Sequence, residues 1–117
     1  MQFDIETGKG VDYRIGSDGG AFYHPGHTLS DYLPLEDTEV VIEVAQAFEY
    51  TDQRYLALAF YTDEQRFINR PVMEFFTWPE MELHVPVPEN AAYVRISCPT
   101  SEYGTNVTLW HAGGAAL

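Results

Sequence analysis

Segment 54–68, RYLALAFYTDEQRFI, constrains the fold more than any other part of the sequence. Its first half, from Tyr55 to Tyr61, is apolar on both sides of a pleated strand, which is typical of a central strand covered on both faces. A polar turn, TDEQ, follows, and Arg66 begins a second strand-like run. We therefore predict a β-hairpin whose first strand lies inside a sheet.

Alternating apolar residues predict further strands before and after this hairpin. Segment 38–48 carries apolar side chains at every second position, which indicates a strand with one buried face. Segment 91–98 alternates in the same way and predicts that Arg95 and Ser97 point outward. Shorter strands are predicted at 30–35, 72–76, 81–85 and 106–111.

The composition favours strands over helices. Aromatic residues make up 15% of the chain, and aromatic and β-branched side chains suit pleated, half-buried surfaces. Prolines at 71, 79, 86 and 88 leave no room for a long helix after the hairpin. A chain of 117 residues is long enough for one core. We therefore predict a single all-β domain, residues 1–117, built as a jelly-roll β-sandwich of about eight short antiparallel strands.

Both ends of the chain are predicted to be irregular. Residues 1–30 are rich in glycine and turn-forming residues, which interrupt short apolar pieces such as 13–15. We predict one or two short strands there, and one long loop at 16–30, GSDGGAFYHPGHTLS. Since loops on a rigid scaffold often carry function, this segment is a candidate contact surface. The tail at 112–117, AGGAAL, is predicted to be flexible unless a neighbouring subunit orders it.

The net charge of −12 disfavours several classes of partner. The chain has a single lysine, Lys9, and its acidic field repels phosphate groups, so we expect no nucleic-acid binding. No apolar run approaches the ~20 residues that cross a bilayer, so we expect no membrane insertion. The N-terminal sequence lacks the basic and apolar regions of a secretory signal. Cys98 is the single cysteine, which rules out an intrachain disulfide, and its apolar neighbours predict burial.

Four segments together resemble a known group of domains. The order SDYLPL, an apolar strand, LALAFYTDEQRFI and VPVPENAAYVRIS is similar to that of small jelly-roll β-sandwich domains in phage tail and receptor-binding proteins and in bacterial surface proteins. The similarity covers residues 30–98. Many of these domains are similar to galactose-binding-like carbohydrate modules. Their binding loops vary, so the resemblance implies the fold and assigns no ligand residue.

The resemblance implies a non-enzymatic structural or adhesion module of a phage virion, assembled in the host cytoplasm. Such a module binds a glycan or neighbouring virion subunits, within a tail fibre, a baseplate or a capsid decoration, and is expected to be a homo-oligomer. These domains usually belong to longer polypeptides, so the chain is either an excised domain or a free-standing subunit. The alternative is a carbohydrate-binding accessory module of a glycan-active enzyme, or a small hydrolase.

Residue types that hold a sugar select a small set of candidate ligand-binding residues. Aromatic faces stack on a pyranose ring, and polar side chains bond its hydroxyl groups. The predicted set is Tyr23, His24, Trp78, Arg95 and Tyr103. A subunit contact explains Tyr23 as well as a sugar does. Trp110 fits core packing as well as ligand binding, because it lies on the predicted last strand.

No motif fixes a metal or catalytic site. His24 and His27 are separated by Pro and Gly, which excludes the helix that zinc hydrolases use to aim two histidines. No cofactor is predicted, although turn aspartates suit a structural calcium ion as well as they suit solvated turns. These aspartates are Asp18, Asp37, Asp52 and Asp63. The sequence has no nucleophile elbow, phosphate loop or Cys–His dyad, so we predict no catalytic residue.

Overall fold

The computed structural model describes residues 2–3, 9–47, 56–73 and 80–117. Within these ranges the chain forms ten β-strands and no helix. The strands are β1 (Gln2–Phe3), β2 (Gly10–Ile15), β3 (Ala21–Leu29), β4 (Leu33–Pro34), β5 (Glu39–Val44), β6 (Ala57–Tyr61), β7 (Phe67–Met73), β8 (Met81–Pro86), β9 (Tyr93–Pro99) and β10 (Val107–His111). The all-β prediction is therefore confirmed for the described residues.

The strands form two antiparallel sheets. The larger sheet has the order β1-β2-β3-β9-β6-β7, with β4 also paired to β9, and the smaller sheet has the order β10-β5-β8. Buried apolar residues of both sheets belong to one continuous cluster, as expected for two sheets packed face to face. The jelly-roll connectivity stays a prediction.

The smaller sheet follows the predicted alternation. On β5, Val40, Ile42 and Val44 are fully buried, whereas Val41 and Glu43 are half-exposed on the other face. Strand β10 repeats this pattern, because Val107 and Leu109 face the core and the residues between them do not. One face of this sheet therefore lies against the core and the other faces solvent.

The predicted hairpin forms from β6 and β7. All five residues of β6 are buried, and the strand pairs with β7 on one side and β9 on the other, so it is central as predicted. The turn is closed by the Thr62 amide, which donates to the Arg66 carbonyl at 2.8 Å. Its Gln65 adopts a positive φ of 63°.

The predicted long loop at 16–30 is wrong, because β2 and β3 form a second hairpin there. Its turn spans only residues 16–20 and is closed by the Gly16 amide, which donates to the Gly20 carbonyl at 2.7 Å. The pairing is interrupted between Val11 and Tyr13, where Asp12 has a φ of 69°. Opposite this irregularity, Gly26 has a φ of 87°, and its amide donates to Asp12 Oδ1 at 3.1 Å. The HPG sequence is accommodated as a bend within β3.

Beyond this bend, the β2–β3 hairpin lies over the outer face of the larger sheet. The Ile15 amide donates to Ser97 Oγ at 3.1 Å, and the Tyr61 hydroxyl donates to the Gly19 carbonyl at 2.6 Å. Arg95 and Ser97 are consequently 2% and 0% exposed. The prediction that these two side chains point outward is wrong, since both faces of β9 are covered.

The tail is hydrogen-bonded to β10, while its flexibility stays a prediction. The His111 amide donates to the Ala115 carbonyl at 2.8 Å, and the Leu117 amide donates to the Leu109 carbonyl at 3.0 Å. Leu117 also packs against the core cluster. The glycines at 113 and 114 allow this reversal, because Gly114 adopts a φ of 101°.

Several predictions fall outside the described residues. These are Trp78, Asp52, the start of the first hairpin strand at 54–55 and the end of the predicted strand at 74–76. In the part of the chain that the structure describes, no helix is long and apolar enough to cross a membrane.

Candidate functional site

Exposed hydrophobic side chains concentrate on the β2–β3 hairpin and at the start of β7. Among the described residues, the exposed large hydrophobics are Val11, Phe22, Tyr23 and Phe67, at 36%, 51%, 53% and 37% exposure. The first three lie on the β2–β3 hairpin, and Phe67 begins β7. Exposed aromatic clusters of this kind commonly mark interaction surfaces. We name Arg14, Phe22, Tyr23 and Phe67 the hairpin surface.

The turn of the hairpin holds this surface together. Gly19 lies directly against Phe67, since a Cβ atom built on Gly19 would be 2.2 Å from Phe67 Cδ1. The Tyr23 ring meets the Tyr13 ring edge to face, with centroids 5.8 Å apart. These contacts join the start of β7 to the β2–β3 hairpin, so the exposed rings are carried on paired strands.

The hairpin surface also carries positive charge. The Arg14 guanidinium lies 5.0 Å from the centroid of the Phe22 ring, within the range of a cation–π contact. Next to it, the Arg70 side chain donates to the Ile15 carbonyl at 3.3 Å. Two of the six basic residues of a chain with net charge −12 therefore lie here. The combination suits a partner whose surface is apolar and rimmed by carboxylates.

Tyr23 and His24, both predicted as ligand residues, lie side by side on β3 and not in a loop. As neighbours on one strand they point to opposite faces. Tyr23 is half-exposed beside Tyr13, whereas the His24 ring packs edge to face on the His27 ring at 4.5 Å. Tyr23 therefore belongs to the hairpin surface, and His24 is partly covered.

Arg95, the third predicted ligand residue, lies inside the protein. Its guanidinium is 4.2 Å from the centroid of the Tyr32 ring and 5.7 Å from that of Tyr61, and its Nε donates to the Ser30 carbonyl at 3.3 Å. Burial raises the pKa of Tyr61 to about 12, and the nearby Arg95 charge opposes this rise. Arg95 thus links β9 to the segment before β4 and has little access to a ligand in solvent.

Tyr103, the fourth described candidate, lies on the opposite side of β9 from Arg95. It is half-buried in the turn after β9, and the Lys9 ammonium is 5.8 Å from its ring centroid. Burial raises the pKa of Tyr103 to about 12. The structure therefore places the four described candidates in different surroundings and does not gather them into one site.

A second surface is formed by the outer face of the smaller sheet. Cross-strand pairing aligns Trp110, Val41 and His84 in one row, and Thr108, Glu43 and Glu82 in the next. A shallow pocket of about 310 Å³ lies over these rows. We name this the small-sheet face. Its tryptophan, carboxylates and imidazole are the residue types that suit a sugar.

The histidine of the small-sheet face is bonded to a carboxylate. His84 Nδ1 lies 2.7 Å from Glu39 Oε1, and its Nε2 lies 3.8 Å from Glu82 Oε2. The hydrogen bond to Glu39 raises the pKa of His84. This face is therefore acidic overall, and protonation of His84 partly neutralises it.

The turn aspartates act within the chain. Asp18 Oδ1 accepts from the Gly20 amide and Asp37 Oδ2 accepts from the Gly113 amide, both at 2.9 Å. Among the described residues, no group of three or more His, Cys, Asp or Glu side chains is arranged to hold a metal ion. Each of these two carboxylates thus fixes a local turn.

The geometry defines a two-sheet antiparallel β-sandwich with an aromatic, arginine-bearing hairpin on its larger sheet. Comparison with protein-family models, with curated proteins and with solved structures found no match. Functional inference therefore rests on the residues and their arrangement.

The sequence contained a signal for the hairpin surface that the loop prediction overlooked. Apolar pieces at 13–15 and 21–23 flank the turn GSDGG, and two such pieces around a glycine-rich turn are typical of a hairpin. Phe22 and Arg14 follow from that pairing, because they are cross-strand partners. Phe67 does not follow from it, since its contact with Gly19 is a tertiary one.

Proposed function

We propose that this chain is a non-enzymatic structural module of a phage virion that assembles with further copies of itself through the hairpin surface. The observation that carries the proposal is the exposure of three aromatic rings at one hairpin: Phe22 and Tyr23 on β3, and Phe67 against the Gly19 turn. The resemblance of segment 30–98 to virion domains is the reason for proposing that the module belongs to a phage particle.

Charge supports a second copy of the chain as the partner. Arg14 lies on the hairpin surface, while the rest of a chain with net charge −12 is predominantly acidic. Contact between the hairpin surface of one copy and an acidic region of another pairs opposite charges around buried rings. Aromatic and arginine side chains are also the types most enriched at strongly contributing interface positions.

The free edge of β3 favours contact through side chains over strand addition. Residues 21–26 pair with β2 alone within the described chain, since pairing with β9 begins at His27. Pro25 lies on this stretch and has no amide hydrogen to donate, so a further strand would pair poorly with this edge. The rings of Phe22 and Tyr23 then carry the contact.

Sedimentation velocity of the pure chain tests the proposal. We expect a concentration-dependent oligomer, and we expect the double variant Phe22→Ser/Tyr23→Ser to remain a monomer with an unchanged melting temperature. The matched control is Val41→Thr, which alters the small-sheet face without changing its charge and should leave the oligomer intact. A monomeric wild-type chain at about 100 μM, far above the micromolar range of moderate affinities, contradicts the proposal.

A second candidate function is glycan binding at the small-sheet face. The observation that favours it is the position of Trp110 beside Glu43, Glu82 and His84 around one shallow pocket. An indole ring stacks on a pyranose, and carboxylates accept hydrogen bonds from its hydroxyl groups. Titration calorimetry with bacterial cell-wall oligosaccharides measures this directly. Glu43→Gln/Glu82→Gln should lose sugar binding, and Phe22→Ser/Tyr23→Ser should retain it.

A further inference from the structure

An apolar cavity of about 320 Å³ lies between the two sheets, on the side where β10 forms the edge of the smaller sheet. Ile96 and Cys98 of β9 line one wall, and Val107 and Leu109 of β10 line the other. Leu117 of the tail also lines it. The cavity is partly open to solvent, so a ligand can reach its apolar wall. An apolar concave site of this volume suits a small ligand.

The cavity wall is mostly apolar and carries no charged side chain. Trp110 Nε1 donates to Thr108 Oγ1 at 2.9 Å, so the indole N–H at the rim has a partner within the protein. Burial raises the pKa values of the Cys98 thiol and the Tyr103 hydroxyl, and both groups are neutral at physiological pH. A sugar or an ionised ligand would find few partners here, whereas an apolar ligand gains by leaving water.

We propose that this cavity binds a small, neutral, apolar molecule. A dry protein cavity of about 150 Å³ lined by aliphatic and aromatic side chains holds benzene. The cavity in this fold is about 320 Å³, which suits a molecule of roughly twice that size, such as naphthalene, indole or a medium-chain alkane. The site is distinct from the hairpin surface and does not depend on assembly.

The tail forms part of the cavity wall through Ala116 and Leu117. It is held against β10 by the hydrogen bonds from the His111 amide to the Ala115 carbonyl and from the Leu117 amide to the Leu109 carbonyl. Because the cavity is partly open to solvent, a ligand can enter without separation of the two sheets.

Methyl NMR of the wild-type chain, with naphthalene as the probe, tests the site. We expect saturable shifts at the methyl groups of Ile96, Leu109 and Leu117, which line the cavity. The methyl groups of Leu83 and Val85, on the far strand β8, are the internal reference and should not move. Unshifted cavity methyl groups at the solubility limit of naphthalene overturn the proposal, as do shifts confined to the hairpin surface.

A pair of matched variants locates the binding. Val107 and Val85 are buried residues on the two edge strands of the smaller sheet, and only Val107 lines the cavity. Val107→Phe fills the space and should weaken naphthalene binding at least tenfold, while Val85→Phe should not. Equal affinities of the two folded variants overturn the proposal. Should Val107→Phe fail to fold in a thermal melt, the wild-type methyl shifts decide.

Discussion

Replacing Tyr61 by Phe tests whether a single buried hydroxyl fastens the β2–β3 hairpin to the larger sheet. Tyr61 is 1% exposed, and its hydroxyl donates to the Gly19 carbonyl at 2.6 Å. The substitution keeps the ring and its edge-to-face contact with Tyr32, with centroids 5.1 Å apart. It removes the donor and leaves the Gly19 carbonyl without this partner in a buried position.

The expected loss follows from that unmatched carbonyl. Leaving a buried acceptor without its hydrogen bond costs about 1–3 kcal/mol. For a domain of this size, 1 kcal/mol corresponds to a melting-temperature change of about 4 °C. We therefore expect Tyr61→Phe to lower the melting temperature by about 4–12 °C. We also expect faster hydrogen exchange at Gly16, whose amide closes the hairpin turn.

Tyr93→Phe is the matched control. Tyr93 is the cross-strand partner of Tyr61 and belongs to the same aromatic cluster, with its ring 6.0 Å from Tyr32. Within the described chain, its hydroxyl makes no hydrogen bond, so the same substitution should change stability by less than about 0.5 kcal/mol. Equal melting temperatures for the two variants would refute the argument that the Tyr61 hydroxyl holds the hairpin.

The raised pKa of Tyr61 adds a pH dependence with a definite sign. Burial raises this pKa to about 12 from the usual tyrosine value of 10.0. Between these values the unfolded chain loses the proton more readily, so the unfolded state binds fewer protons and stability falls as pH rises. The difference between these pKa values corresponds to about 2–3 kcal/mol, fully lost near pH 12. Denaturant melts between pH 9 and 12 should show this decline. Tyr61→Phe should make it shallower without abolishing it, because burial also raises the pKa values of Tyr103 and Cys98.

The remaining predictions concern the small-sheet face and the hairpin turn. Glu39→Gln should lower the pKa of His84, measured by NMR titration of its ring, because the hydrogen bond to Glu39 is the main cause of the raised value; an unchanged pKa would contradict this cause. Gly19→Ala should destabilise the fold far more than Gly114→Ala in thermal melts. Both residues have a positive φ, but a Cβ on Gly19 would lie 2.2 Å from the Phe67 ring, whereas one on Gly114 meets nothing within 4 Å. Similar losses for the two variants would argue against the close contact.

The sequence was sufficient to predict the elements whose packing is periodic. Strand β5 buries Val40, Ile42 and Val44 on one face, and that alternation is visible in the residues themselves. Strand β6 is apolar at every position because both of its faces are covered. Such patterns report burial directly, so they predict strands well even when the neighbouring strands are unknown.

The errors arose where tertiary contacts override local signals. Arg95 and Ser97 alternate with apolar residues, so the two-residue period of a strand predicts that they face solvent. In the structure, the β2–β3 hairpin covers them. Glycine and proline are common in loops and also at bends within strands, so their presence at 16–30 does not distinguish a loop from a hairpin. One overlooked hairpin therefore produced two further misplacements, since its strands bury residues far away in the sequence.

The same hairpin explains why the predicted ligand residues do not form one site. Residue type selected Arg95 and Tyr23 together, but Arg95 is buried on the larger sheet against the Tyr32 and Tyr61 rings, whereas Tyr23 is exposed on the hairpin. Exposure depends on what lies on each face of a strand, and residue type alone carries no such information. Trp110 shows the converse, because it lies on a strand with buried neighbours and still lines the pocket of the small-sheet face. The surfaces proposed for assembly and for glycan binding are therefore defined by pairing between strands, and variants that preserve this pairing test them best.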